Sequence, residues 1–510
     1  MSKRVVIVGA GIGGLATANL LAKAGYKVSV YEKNAQPGGR AGILELKGFR
    51  FDTGPSWYLM PDVFTHYFSL FRKTITKELD LVQLSPAYKV FFENASPITI
   101  TSDSEQDAAT FDAIEPGAGK KLKEYVRKGD DIYRLSMKHF LYTNFSSVRD
   151  FTKTDVLRRG HVMTRLALMP ISTYVAKFVT DRRLQQILEY PMVFLGSSPF
   201  SAPALYSLMS ALDFHEGVYY PKGGLYTIIE RLVKLGQELG VEYHYGAAVK
   251  RIVTSQGEVR GITLEDGAHI SADIVISNAD LHFTETHLLD EKDRSYPASY
   301  WDKREAGPSA LLMYLGVKGE MPELEHHNLF FVDNWKKNFD NIFVNKRLPW
   351  PASMYVCKPS ATDPSVAPKG HENMFVLVPL PAGTKATNAQ LGKAAEKYLS
   401  LLEEKLGVKD LKQRIVLKKF FGPNDFSRKF HAWQGTALGP SHTLRQSAFF
   451  RTPNKSKKVS GLYYVGGSTT PGIGLPMCLI GAELLYKRLA GDKRGGPIDK
   501  IRNIAKEEDY

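Results

Sequence analysis

The chain of 510 residues contains very little cysteine, and it shows no catalytic triad. Cys357 and Cys478 are its only cysteines, which excludes a disulfide framework and a Cys-x-x-Cys zinc knuckle and suits a reducing compartment. The adjacent His326 and His327 invite comparison with a metal-binding pair. Because neighbouring side chains of a strand point to opposite faces, we interpret them as a loop or edge pair and predict no metal site.

Long hydrophobic runs are also scarce. Only residues 5–22 lack charge for long enough to suggest a secretory signal or a membrane span. Gly9, Gly11, Gly13 and Gly14 would weaken a membrane helix, and no A-x-A-like cleavage site follows them. A run of about 18 residues is at the short edge of a bilayer span. We therefore expect neither a leader nor a span here.

Basic residues outnumber acidic ones, and the net charge of +14 suggests an anionic partner. The chain has no zinc finger, RNP motif or lysine-rich block, so we predict no nucleic-acid partner. The segment Lys153–Arg183 carries seven bases and two acids interleaved with apolar residues. Such a segment is typical either of a membrane-surface helix or of a helix pair with a solvated basic face, and both interpretations stay open.

The glycines near the N-terminus favour a nucleotide-binding turn. Residues 9–14 read GAGIGG, which satisfies G-x-G-x-x-G, and Glu32 lies 18 residues after Gly14, near the position of the acid that binds a ribose hydroxyl. We predict a strand at Arg4–Val8, a helix at Leu15–Ala24 closed by Gly25, and a second strand at Lys27–Tyr31. Gly9 permits the tight turn, Gly11 lets backbone N–H groups approach a pyrophosphate, and Gly14 allows close packing of helix and strand.

Two further glycine-rich turns follow. Gly38-Gly39-Arg40 comes after the second strand, where a nicotinamide domain needs no glycine pair. Residues 466–477, GGSTTPGIGLPM, lie between a predicted strand at Leu462–Val465 and a predicted helix at Cys478–Leu489. We expect both ends of the chain to bind one ligand. A second, separate nucleotide site is disfavoured because no acid-terminated strand follows the later turn.

The motifs together resemble one family. In order they are GAGIGGLATANLLAKAGYKVSVYEKNAQPGGR, FDTGPS, VYYPKGGLYTIIERL, DPSVAP, PNDF, LRQSAFFRTPN and LYYVGGSTTPGIGLP. They resemble the bacterial-type carotenoid desaturases, the phytoene and diapophytoene desaturases of the FAD-dependent amine oxidase superfamily. The resemblance implies an α/β fold, with a Rossmann-like FAD-binding domain built from residues 1–75, 222–300 and 440–491. It implies an inserted α+β substrate and membrane-associating domain from residues 76–221 and 301–439, and a tail at 492–510.

The resemblance also implies the residues that hold FAD. Gly9, Gly11 and Gly14 would bind the pyrophosphate, and Glu32, with Lys33 beside it, the adenosine ribose. The other implied contacts are Gly38, Gly39 and Arg40 at the flavin phosphates, Gly54, Pro55 and Ser56 at the isoalloxazine ring, Val249 at adenine, and Gly466, Gly467, Ser468, Gly472, Pro476 and Met477 around the ribityl chain and ring.

The implied activity is desaturation of a long apolar isoprenoid, phytoene or diapophytoene, with hydride transfer to flavin N5 and oxygen or a quinone as final acceptor. The implied location is cytoplasmic, peripheral to the inner face of a membrane. Alternatives are a hydroxycarotenoid 3,4-desaturase, an isomerase, a terminal-methyl oxidase, or a non-catalytic lipid-binding protein of this fold. Asp213, His215 and Glu216 are candidate proton acceptors and Lys222 a candidate flavin-tuning cation, with a purely structural role as the alternative for each.

Overall fold

The N-terminal glycine motif forms a parallel β-α-β unit, as predicted. The structure is a computed structural model that describes residues 2–101, 103–145 and 160–505. Strand Arg4–Val8 pairs in parallel with strand Lys27–Glu32, and helix Ile12–Lys23 connects them. The charge-free stretch is therefore a buried strand and helix. Among the described residues, no helix combines the length and apolarity that crossing a membrane requires.

A five-stranded parallel sheet places the ends of this unit beside distant parts of the chain. Its strands, in spatial order, are Leu462–Tyr464, Ile274–Ser277, Arg4–Val8, Lys27–Glu32 and Glu242–Tyr245. Helices Tyr226–Glu238 and Leu475–Leu489 pack against Ile12–Lys23 and cover the sheet. The sheet takes strands from all three segments of the predicted FAD domain, whose boundaries remain a prediction.

A second sheet of seven strands lies in the part of the protein outside the five-stranded sheet. Its spatial order is Ile415–Phe421, Ser309–Lys318, His371–Leu380, Met354–Cys357, His327–Phe330, Tyr88–Phe91 and Ile98–Ile100. The sequence also predicts strands at Ala310–Val317, Met374–Pro379, Ala87–Phe92 and Ile98–Thr101, and all four are confirmed, with ends that differ by up to three residues. The strand that begins at His327 lies inside this sheet with neighbours on both sides, so the interpretation of the histidine pair as a loop or edge pair is wrong for His327, whereas His326 lies in the bend before the strand.

Helices fill most of the described part of residues 60–220, in agreement with the largely helical character that the sequence predicts for this stretch. The longer helices outside the five-stranded sheet are Pro61–Ser69, Ser104–Ile114, Ala118–Ser136, Gly160–Leu168, Arg182–Glu189, Ser207–His215, Trp335–Phe343, Asn388–Leu406 and Pro423–Phe430. Gly129 lets Ala118–Ser136 and Ser207–His215 approach closely, because a Cβ at Gly129 would lie 2.5 Å from the Ala211 side chain.

Smaller sheets complete the fold. They are a three-stranded sheet of Val249–Ser255, Glu258–Leu264 and His269–Ser271, and the pairs Ile43–Leu46 with Phe49–Asp52 and Leu81–Gln83 with Tyr219–Pro221. The sequence predicts a sharp loop over Gly217–Gly224, and this prediction is wrong for Tyr219–Pro221, which form the last of these strands.

Candidate active site

One cavity of about 1360 Å³ joins the glycine-rich turns to an apolar interior. Its lining includes Gly9, Gly11 and Gly13 from the first turn, Gly38 and Gly39 from the second, and Gly466 and Gly467 from the third. The first two turns touch directly, since Gly38 N–H donates to Ala10 O at 2.8 Å. Both ends of the chain therefore line a single site.

The first turn has the geometry of an anion cradle. A Cβ at Gly14 would lie 2.3 Å from the backbone oxygen of Gly9, so this position requires glycine, and a Cβ at Gly11 would lie 2.6 Å from the end of the Asn278 side chain, which would have to move. Among the described residues, no side chain caps helix Ile12–Lys23 at Gly11. The N–H groups and positive dipole end of this helix are left for a ligand phosphate, which fits a dinucleotide. Gly14 serves helix–strand packing and does not itself line the cavity.

Glu32 is a buried carboxylate that is already partly satisfied by the protein. Its Oε2 accepts from Ala10 N at 2.8 Å, and its Oε1 accepts from Asn34 N at 2.9 Å and Asn34 Nδ2 at 2.6 Å. A carboxylate offers about four acceptor positions, so about one is left for a hydroxyl in the cavity that Glu32 lines.

Arg40 and Lys33 supply positive charge to the same wall. Arg40 Nε is buried and has no hydrogen-bond partner among the described residues, while Nη2 lies 3.4 Å from Thr436 O and 3.9 Å from Asp280 Oδ2. Lys33 Nζ donates to Arg428 O at 2.9 Å. Burial lowers the pKa of both cations and raises the pKa of Asp280. A guanidinium N–H without a partner in the cavity wall can donate to a phosphate, so Arg40 fits a phosphate-bearing cofactor.

The C-terminal turn is held by a buried arginine that the sequence analysis did not single out. Arg451 Nε donates to Thr469 O at 3.0 Å, Nη1 donates to Gln446 O at 3.2 Å, and Nη2 donates to Gly467 O. Burial lowers its pKa to about 10, which leaves it charged at neutral pH. The LRQSAFFRTPN and GGSTTPGIGLP motifs are thus one structural unit.

The implied FAD contacts of this turn divide into two groups. Gly466, Gly467, Pro476 and Met477 line the cavity together with Val249, whereas Ser468 and Gly472 are absent from its described lining. A Cβ at Gly472 would lie 2.3 Å from His442 Nε2, so this glycine serves packing.

The FDTGPS segment lines the middle of the cavity through Gly54, Pro55 and Ser56. Ser56 Oγ and the Tyr355 hydroxyl are 2.8 Å apart. A Cβ at Gly54 would lie 2.4 Å from Arg40 O, so the backbone approach here also requires glycine.

The PKGG loop is anchored by acids from two other motifs. Asp52 accepts from Leu225 N at 2.8 Å and Tyr226 N at 2.9 Å, and Asp363 accepts from Gly223 N at 2.7 Å. Burial raises the pKa of Asp52 to about 6. Lys222 is exposed, pairs with Asp80 at 3.2 Å and is not part of the described cavity lining. The structure places this lysine away from the cavity.

The three candidate proton acceptors also lie outside the described lining of the cavity. Asp213 is buried and accepts from the Tyr190 hydroxyl at 2.5 Å, and burial raises its pKa to about 7. Glu216 is half-buried, and burial, with Asp62 next, raises its pKa to about 7. His215 is exposed. Asp213 comes nearest to the cavity, through Tyr190, which lines it.

The sequence analysis also missed the residues that follow strand Ile274–Ser277. Asn278, Ala279 and Asp280 line the cavity, and the Asn278 side chain packs against Gly11, Gly13 and Gly466. The signal was available, because ligands bind at the carboxyl ends of strands in an open parallel sheet.

Away from the glycine turns the cavity is apolar. Its lining there includes Trp57, Tyr190, Phe194, Met209, Phe331, Trp335, Phe339, Phe343 and Met354. Leu444, Phe449 and Phe450 both line the cavity and are exposed, at 36%, 55% and 59%, so they mark an opening. Helix Gly160–Leu168 also lines it, through Met163, Thr164 and Ala167. Residues 153–159 of the basic segment Lys153–Arg183 lie outside the described residues.

A parallel-sheet fold with a dinucleotide cradle and a long apolar cavity fits a flavin-dependent oxidoreductase. The family model described as flavin containing amine oxidoreductase matches residues 12–483. The carotenoid 3,4-desaturase of Haloarcula japonica is 44% identical over 96% of this chain and 98% of its own length. The zeta-carotene-forming phytoene desaturase of Myxococcus xanthus is 37% identical over 96% and 94%.

A solved oxidoreductase from Methanosarcina mazei shares the fold, with a TM-score of 0.61 and 17% identity over 95% of this chain and 100% of that one. The chain therefore belongs to the flavin-containing amine oxidoreductases, and within them to the carotenoid desaturase family. It is an FAD-dependent enzyme, which excludes the non-catalytic alternative.

Proposed function

We propose that this enzyme desaturates a carotenoid precursor, phytoene or diapophytoene. The observation that carries the proposal is the single cavity, which runs from the dinucleotide cradle to an apolar interior and opens between Phe449 and Phe450. A long hydrocarbon has no polar handle, so its position relative to the ring has to be set by the shape of an apolar channel.

FAD, when bound, supplies the hydride acceptor for such a reaction. The chain's residues do the rest. Glu32 would bind the adenosine ribose, Arg40 and the helix N-terminus at Gly11 would hold the phosphates, and Ser56 lies on the wall between cradle and channel. Trp57 and Tyr190 continue that wall and exclude water from the reacting carbons. Oxygen or a membrane quinone is the proposed final acceptor.

A reconstitution assay tests the proposal. Purified protein with FAD is incubated anaerobically with lipid vesicles that contain phytoene or diapophytoene, with a soluble quinone added, and pigments are separated by chromatography. We expect products with additional conjugated double bonds from one substrate. Flavin-loaded protein that converts neither substrate would contradict the assignment.

Carotenoid 3,4-desaturation is a second candidate, favoured by the 44% identity to the Haloarcula japonica enzyme of that name. The same assay with a hydroxylated, fully conjugated carotenoid distinguishes 3,4-desaturation from desaturation of phytoene or diapophytoene. Conversion of this pigment without conversion of phytoene or diapophytoene would favour 3,4-desaturation.

We further propose that the opening of the cavity docks on an anionic membrane surface. Besides Phe449 and Phe450, Leu444 is exposed at the opening, and Val162 and Leu168 are exposed on helix Gly160–Leu168, which lines the cavity through other residues. Arg165 and Arg445 lie among them and are exposed. Apolar side chains flanked by cations match an interface between lipid tails and anionic headgroups.

Vesicle flotation tests this docking. The double variant Phe449→Ser/Phe450→Ser should bind anionic vesicles at least about tenfold more weakly, because two large apolar side chains no longer enter the lipid. Val416→Ser is the matched control, since Val416 is 47% exposed on the seven-stranded sheet and does not line the cavity. Equal binding by the double variant and the control would refute docking through this opening.

A further inference from the structure

A buried cluster of three metal-ligating side chains lies behind the wall of the cavity. His327 and Cys357 are direct partners on neighbouring antiparallel strands, and His326 adjoins them. One ligand-capable atom from each residue falls within 4.8 Å of the others. All three residues are at most 3% exposed. The cluster belongs to neither the dinucleotide cradle nor the apolar channel.

The two histidine rings meet because only one of them belongs to the strand. The strand starts at His327, so the backbone at His326 is free of the alternation that sends neighbouring side chains to opposite faces. The ring centroids are 4.5 Å apart, with the planes at 68°. This removes the reason for which the sequence analysis predicted no metal site.

Each imidazole is oriented through one nitrogen and left unpartnered at the other. His326 Nδ1 lies 2.8 Å from Thr362 Oγ1, and His327 Nδ1 lies 2.7 Å from the Tyr355 hydroxyl. Both Nε2 atoms are buried without a hydrogen-bond partner among the described residues. An outer polar group on one nitrogen with the other nitrogen free is the arrangement of a metal-binding histidine.

The third ligand brings a soft donor. Cys357 is buried and in no disulfide, and its thiol carries the proton that a metal ion displaces. A bound cation replaces this proton, which leaves to solvent, and forms a metal–thiolate bond. Imidazole nitrogen and thiolate sulfur are both ligand types that zinc binds.

The surrounding charges accommodate a cation. A divalent ion with one thiolate carries a net charge of +1. The negative carboxylates of Asp52 and Asp363 interact electrostatically with Cys357 and His326 respectively. Lys358 is the opposing positive charge, but its Nζ is directed to Met321 O at 2.6 Å. The Tyr220 hydroxyl is also buried without a hydrogen-bond partner among the described residues. The centroid of the Tyr220 ring lies 4.6 Å from the centroid of the His326 ring.

We propose that His326, His327 and Cys357 bind one zinc-class divalent cation. The ion cross-links strands His327–Phe330 and Met354–Cys357 directly behind the cavity. Trp57 stacks on His327 at 4.3 Å and Tyr355 binds its Nδ1, and both residues line the cavity. The ion therefore fixes the wall next to Ser56, and its binding is independent of which substrate the channel takes.

Elemental analysis of the flavin-loaded protein is the first test. After expression with added zinc and dialysis against a weak chelator, we expect about one zinc ion per chain. Exchange for Co²⁺ should give d–d absorption at wavelengths longer than the flavin bands, with a thiolate-to-cobalt charge-transfer band in the difference spectrum. Absence of both a stoichiometric metal and the cobalt bands would overturn the proposal.

Variants locate the ion. Cys357→Ser should lose the charge-transfer band, and Thr362→Val, which removes only the hydroxyl at His326 Nδ1, should weaken zinc binding about 10- to 100-fold. Cys478→Ser, which alters the other cysteine, should keep the metal content. Zinc retained at full stoichiometry in Cys357→Ser would refute the site. Should that variant fold poorly, X-ray absorption of the wild-type zinc protein decides: a sulfur scatterer supports the site, and a shell of only oxygen and nitrogen refutes it.

Discussion

Replacing Glu32 with glutamine should weaken FAD binding selectively at its adenosine end. Three of the about four acceptor positions of this carboxylate are filled by Ala10 N, Asn34 N and Asn34 Nδ2. In Glu32→Gln the amide oxygen can still accept from Ala10 N, but the NH₂ group faces the two donors of Asn34 and no longer accepts from a ribose hydroxyl.

The magnitude follows from the loss of one hydrogen bond to a charged acceptor, which contributes about 1.5–3 kcal/mol. We therefore expect FAD affinity to fall about 10- to 100-fold. The clash of donors at Asn34 should also lower the free energy of unfolding of the apoprotein by about 1–3 kcal/mol.

Titration of apoprotein with FAD, followed by flavin fluorescence, measures the effect, and FMN provides the control. FMN lacks the adenosine, so its affinity should change by less than about twofold. A parallel fall in FAD and FMN affinity would show that Glu32 acts only through the fold. Unchanged FAD affinity would show that Glu32 makes no ribose contact.

Three other substitutions test separate parts of the argument. Gly14→Ala forces a Cβ to 2.3 Å from Gly9 O, so the protein should lose about 1–3 kcal/mol of stability together with its flavin, and purification with full flavin content would contradict this. Arg451→Met leaves the carbonyls of the C-terminal turn unpaired and should lower the free energy of unfolding by about 3 kcal/mol in urea. An unchanged urea midpoint would refute the role of Arg451 in holding this turn. Asp213 has a pKa of about 7 in the folded chain and about 3.9 when unfolded, so the stability it contributes is complete below about pH 4 and is lost as the pH rises through about 7. Asp213→Asn removes this loss of up to about 4 kcal/mol, so the free energy of unfolding of the variant relative to wild type should rise between pH 4 and 8 in urea titrations. A difference between variant and wild type that does not change with pH would contradict the effect of burial on Asp213.

The glycine spacing predicted the β-α-β unit because the tight turn, the phosphate approach and the close packing each require glycine at a fixed position. Helix starts were less predictable. The N-terminal helix begins at Ile12 and not Leu15, because Gly13 and Gly14 are tolerated within its first turn. The C-terminal helix begins at Leu475 and not Cys478, because a proline in the first turn removes no helical hydrogen bond.

The apolar channel had no sequence signature. Tyr190, Trp335 and Phe449 come from different elements, and no periodicity connects them. The acids before the PKGG loop are close in sequence to a motif of the site, yet helix Ser207–His215 packs Asp213 beside Tyr190, outside the described cavity lining. Such placements depend on how helices pack, which local sequence does not encode.

The order of strands in the five-stranded sheet has a consequence for biosynthesis. Strand Ile274–Ser277 lies between Arg4–Val8 and Leu462–Tyr464, so its outer edge stays open until a strand more than 450 residues from the first has left the ribosome. At about 5–20 residues per second, synthesis of the chain between Ser277 and Leu462 takes on the order of 10 to 40 seconds. The cofactor can meet a complete cradle only after nearly the whole described chain has been made. Flavin supply during the last stage of synthesis, and protection of the open sheet edge until then, should therefore govern how much active enzyme a cell obtains.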